Sequence, residues 1–138
     1  MKNNLKLFLD DIRMPEDAWI YPERVKMLEK SKTQSCAWTI VRNYEDFCEF
    51  IDKFGIPEMV SFDHDLHMEH VKYYFDITSQ TGILDYSKLK VKTGKHCAEY
   101  FLDKWTEAGK PITQVYVHSA NRWGQVEIKN VLKELIND

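Results

Sequence analysis

Three stretches of the chain deliver carboxylates and imidazoles straight from a run of strand-forming residues. "LKLFL" (5–9) runs into Asp10 and Asp11, "MVSF" (59–62) into Asp63, His64 and Asp65, and "ITQVYV" (112–117) into His118 and Ser119. Carboxylates gathered at one place repel one another unless a cation sits among them. Oxygen donors of this kind suit Mg²⁺ or Mn²⁺, which makes Asp10, Asp11, Asp63 and Asp65 candidate metal ligands. Imidazole titrates near neutral pH, so His64 and His118 are candidates for moving a proton.

These groups meet only if the elements behind them lie side by side. A further strand is expected over 37–42 ("AWTIVR"), rich in β-formers. Helices are expected at about 22–31, over 43–54 with Phe47, Phe50, Ile51 and Phe54 on one face, from Thr93-Gly94 to about 108, and after Asn121. Residues 67–92 are polar and aromatic-rich without clean periodicity and read as an insertion, holding a short strand pair or a helix turn, that partly covers the site. Strands alternating with helices imply a parallel sheet covered on both faces. In the flavodoxin-like order 2-1-3-4 the first, third and fourth strands are neighbours. All three polar clusters then share one edge, where ligands bind in such sheets.

The chain has 138 residues, enough for one domain over 1–138 with a single core. Its formal net charge of -3 argues against a broad nucleic-acid surface but leaves room for a small phosphate ligand. Cys36, Cys48 and Cys97 lack metal-site spacing and read as reduced thiols. No stretch is apolar enough for a signal peptide or a membrane span, so a cytoplasmic location is expected.

"LFLDDIRMP", "SFDHDL", "TG" and "VHSANRWG" together resemble the motifs of the cyclic-phosphate processing receiver domain family, a divergent branch of the receivers of two-component signalling. The resemblance implies a flavodoxin-like receiver fold of about four mostly parallel strands with helices on both faces. It places Asp10 and Asp11 at the acidic metal pair, Asp63 at the phosphoacceptor position and Ser119 near the hydroxyl position. It also implies a phosphodiesterase or phosphohydrolase that opens a cyclic phosphate on a small ligand, a nucleotide or an RNA end. In that chemistry His118, His64 and Asp63 are the catalytic candidates, the two imidazoles dividing acid and base work. Arg13 supplies a fork of donors to phosphate, and Thr93, Ser119 and Asn121 stand at helix starts that favour anions.

Blander or rival readings accompany each of these. Arg13 can pair with a neighbouring carboxylate, Thr93 and Asn121 can be plain caps, and His96 reads as a solvated helix residue. Asp63, His64, His67 and His70 in "DHDLHMEH" form an alternative zinc cluster, which fits less well because no second ligand group has suitable spacing. The alternative to an enzyme is a non-catalytic receiver-like module that binds a protein or a phosphorylated ligand; no protein partner can be named from the sequence.

Overall fold

A computed structural model describes residues 5–14, 38–78, 86–119 and 121–136. Four strands, β1 (Lys6–Leu9), β2 (Thr39–Val41), β3 (Met59–Phe62) and β4 (Gln114–Val117), form one sheet. Their order is β2-β1-β3-β4 and every pairing is parallel, as the flavodoxin-like reading requires. The helices are α1 (Tyr44–Phe54), α2 (Met68–Thr78), α3 (Gly94–Glu107) and α4 (Arg122–Val131), with a 3-10 turn at Tyr86–Lys88. The helix expected at 22–31 lies outside the described residues.

Strand alternation divides the core into two layers. Leu7, Leu9, Val60 and Phe62 face one side, where Phe47, Ile51, Phe101, Trp105 and Ile128 from three helices close over them. Phe8 and Met59 face the other side with Trp38, flanked by Ile40 and Tyr116. Ser61 lies on the strand between Val60 and Phe62 and is fully buried.

Helix starts follow the capping rules. The Asn43 side chain accepts the Asp46 N–H, Asn121 accepts that of Gly124, and Thr93 accepts that of Lys95. His96 completes a capping box at Thr93 by accepting its backbone N–H. His96 is therefore half-buried cap machinery, not the solvated residue expected.

In the insertion expected at 67–92 the first part is an eleven-residue helix, α2, longer than the helix turn its composition suggested. The 86–92 stretch is tied to α2 through Glu69, whose Oε1 accepts the N–H groups of Lys90 and Val91. His70 makes the second tie. Its Nδ1 accepts the Leu66 N–H at 2.8 Å and its Nε2 donates to the Val91 carbonyl at 2.7 Å.

That pair of bonds requires the neutral ring. Burial lowers the His70 pKa, against the opposing Val91 carbonyl and Asp65 charge; His64 and Glu69 add smaller effects, and the His67 ring packs beside it. A folded pKa below the ordinary histidine value means that the unfolded chain takes up the proton first as pH falls. His70 should therefore contribute stability that is intact above the ordinary histidine range and is lost as the pH drops below it. Thermal melts across pH 5–8 should show this slope below about pH 6.5, the ordinary histidine value. In His70→Phe the slope should flatten; an unchanged slope would assign it to another group.

Candidate metal centre at the carboxyl edge of the sheet

The strand ladder continues one residue past the ends of β1, β3 and β4. The Asp10 N–H donates to the Val41 carbonyl, Asp63 to Leu9 and His118 to Phe62. These bonds set Asp10, Asp63 and His118 shoulder to shoulder at the carboxyl edge. All three are buried, and one ligand atom from each lies within 4.8 Å of the others.

The two carboxylates are pushed in opposite directions. Burial drives Asp10 up, but the hydrogen bond and charge of His118, with the amides of Arg13 and Ile12, outweigh it and bring the pKa down to about 2. Those amides donate to Oδ1 at 2.8 and 3.0 Å, while Oδ2 lies 3.1 Å from His118 Nε2. Burial raises Asp63 well above the ordinary range, and the charges of Asp10 and Asp65 add to it. The His64 N–H at 2.8 Å and the Ser119 hydroxyl only partly offset this. Ionised Asp63 therefore favours taking up a proton or a cation, and no lysine or arginine forms an ion pair with it among the described residues.

His118 is held on every side. Its ring stacks on Phe8 with centroids 4.3 Å apart and planes 6° from parallel, and its Nδ1 lies 2.6 Å from Ser61 Oγ. Ser61, His118 and Asp10 thus line up like a nucleophilic triad. The resemblance stops there, because Ser61 is 0% exposed and no substrate can reach its hydroxyl.

Two carboxylates and an imidazole fit a divalent ion by donor chemistry and by the uncompensated charge on Asp63. Asp11 and Asp65, expected as ligands, stand outside this group. Asp11 is half-buried and pushed up by burial and by the Asp10 charge. One oxygen of Asp65 is occupied: Oδ1 accepts from His64 Nδ1 at 2.7 Å and from Asn121 Nδ2 at 3.0 Å. The alternative zinc run does not assemble; His70 is committed to backbone groups and His67 is exposed.

His64 sits behind the centre. Its ring is 2% exposed, with Nδ1 on Asp65 and Nε2 2.7 Å from the Tyr86 hydroxyl. Burial keeps that phenol protonated, so it donates to Nε2. Glycines make room for this arrangement. A Cβ on Gly124 would stand 2.3 Å from the His64 ring, and one on Gly94 would stand 1.7 Å from the Asp63 carbonyl oxygen.

The expected phosphate-binding residues divide. The Arg13 guanidinium makes no hydrogen bond or ion pair with another of the described residues, so no carboxylate among them takes up the pairing allowed for in the sequence. Ser119 is at the centre, bonded to Asp63 and accepting the Asn121 N–H. Thr93 and Asn121 are spent on caps, and Asn121 on Asp65 as well. Ser61, Tyr86 and Arg42 were not anticipated as site residues. Arg42 Nη1 donates to the carbonyls of Asp10 and Arg13 at 3.0 and 2.8 Å, clamping the loop that carries both side chains. A charged residue closing an otherwise apolar strand was its one sequence signal.

Among the described residues no helix is long and apolar enough to cross a membrane. The model of one protein family, described as the cyclic-phosphate processing receiver domain, matches residues 5–134. No curated protein and no solved structure matches the chain.

Proposed function

Because the chain belongs to the cyclic-phosphate processing receiver domain family, we propose that it is a metal-assisted phosphoesterase acting on a cyclic phosphate, or a related phosphoester of a nucleotide or RNA end. The observation that carries this reading is the buried Asp10, Asp63 and His118 group at the edge where a parallel sheet takes its ligands. A divalent ion held there supplies positive charge for the phosphate oxygens and a more acidic bound water. Asp10 is fixed ionised by two amides and His118, so it is a ready anchor. Asp63 completes the charge a cation would meet. The guanidinium of Arg13, on the loop beside Asp10 and unpaired among the described residues, is the group available to fork onto a phosphate. His118 borders the two carboxylates, while His64 acts on the site through Asp65.

The second reading, a non-catalytic module that binds a phosphorylated ligand or a protein, is favoured by one observation. Both ring nitrogens of both histidines already have partners. A screen of cyclic nucleotides and cyclic-phosphate-ended RNA with Mg²⁺ or Mn²⁺ separates the two. The expected result is turnover that disappears in Asp10→Asn. Binding without cleavage across the screen would hand the function to the module reading.

A further inference from the structure

Resting on the metal-centre reading, we infer that His118 is itself a ligand of the ion through Nε2, with Ser61 as its orienting partner, and that the centre takes a transition ion in preference to Mg²⁺. The sequence assigned this imidazole to proton transfer and the ion to carboxylates alone. The geometry points elsewhere.

An imidazole that ligates a metal through one nitrogen almost always gives its other N–H to a fixed acceptor, which sets the tautomer and the ring plane. His118 has that partner built in: Ser61 Oγ lies 2.6 Å from Nδ1, in a strand interior where the hydroxyl is fully buried. With Nδ1–H donating to Ser61 Oγ, Nε2 presents a lone pair toward the carboxylates. The Phe8 ring, stacked 4.3 Å away, holds the plane.

Spacing agrees. Neighbouring donors about 2.1 Å from an ion and at right angles to one another lie roughly 3 Å apart. His118 Nε2 and Asp10 Oδ2 are 3.1 Å apart. An entering ion takes the position of the proton those two atoms share, so the pair is preset for it. A group that transfers protons to substrate needs a nitrogen open to the substrate. His118 has a buried serine on one nitrogen and a buried carboxylate on the other.

The donor set then decides the ion. Mg²⁺ favours all-oxygen shells and keeps its waters, whereas imidazole favours first-row transition ions. Replacing one oxygen donor by nitrogen moves the preference away from Mg²⁺.

The test uses the full chain and Mn²⁺, which is paramagnetic. Pulsed electron paramagnetic resonance of the wild-type complex should show nitrogen modulation from a directly bound imidazole. Calorimetric titration should show Mn²⁺ binding at least about tenfold more tightly than Mg²⁺. His118→Ala should abolish the modulation and weaken Mn²⁺ more than Mg²⁺. Ser61→Ala should keep the modulation while weakening Mn²⁺ about ten- to a hundredfold. Mn²⁺ bound without nitrogen modulation, in a protein where Asp63→Asn still loses the ion, would overturn His118 as ligand and return it to proton transfer. Absence of any divalent-ion binding to wild type would sink the metal centre as a whole, a different failure. The wild-type spectrum alone decides the ligand question should a variant not fold.

Discussion

Replacing Asp63 by Asn should abolish divalent-ion binding and, in the same variant, raise the melting temperature of the ion-free protein. The two effects share one cause. Asp63 is buried beside Asp10 and Asp65, and burial and those charges raise its pKa well above the ordinary carboxylate range. Above that ordinary range the unfolded chain ionises freely while the folded chain resists, so the fold loses stability as pH rises toward the folded value. Asn keeps an oxygen for the His64 N–H and removes the charge. The advantage of the variant should therefore be larger at pH 8 than at pH 4, and the His70 effect cancels because both proteins carry it. Calorimetry with Mn²⁺ and paired thermal melts give both readings. Equal ion binding by the two proteins would remove Asp63 from the centre, and a lower melting temperature in the variant would show that its burial is no burden.

Gly94→Ala should be the most damaging single-methyl change in the described chain. In an ordinary helix this substitution gains about 1 kcal/mol of propensity. Here the added Cβ would stand 1.7 Å from the Asp63 carbonyl oxygen, 2.7 Å from its carbon and 2.8 Å from His64 Cα. All three are backbone atoms of the loop that carries the centre, and Gly94 N–H is bonded to the His64 carbonyl at 2.8 Å. No side chain can swing aside, so the start of α3 must retreat from β3. Overpacking costs typically 1–3 kcal/mol and occasionally more. With backbone on both sides, at least about 3 kcal/mol is expected by urea denaturation. Gly109→Ala is the contrast: its φ is 87° with nothing within 4 Å, so only the left-handed backbone penalty of about 1–2 kcal/mol applies. Similar losses at the two sites would mean that the close approach of α3 to Asp63 is not real.

Much of this was legible because strand ends are legible. Leu7, Leu9, Val60 and Phe62 read as buried strand, and the polar residues that follow can lie only at the carboxyl edge. Phe47, Phe50 and Ile51 marked the inner face of α1, though Phe54, expected on it, is 51% exposed at the helix end, and Asn43, Thr93 and Asn121 marked helix starts. The full length of α2 was missed because one of its buried positions is His70, 1% exposed and bonded to backbone, where an apolar count expects a hydrophobic residue. Ser61 was illegible for a related reason. A serine inside a strand looks like a small spacer until the neighbouring strand brings His118 onto it. The split of four carboxylates into a centre of Asp10 and Asp63 with outer Asp11 and Asp65 depends on side-chain direction, which spacing does not encode.

The capped helix starts have an electrostatic consequence. In a parallel sheet of this kind each helix that follows a strand begins at the carboxyl edge, and each start carries roughly half a positive elementary charge on its free N–H groups. The same edge holds the buried carboxylates. Attraction for anions and attraction for cations are thus built into one place, and neither ligand alone satisfies both. A cation neutralises the carboxylates that would repel phosphate, and phosphate supplies the counter-charge that steadies the cation. Linkage makes this mutual: whatever factor one ligand adds to the affinity of the other is returned in full. If the edge takes an ion and a phosphate together, as proposed, each acts as the other's effector.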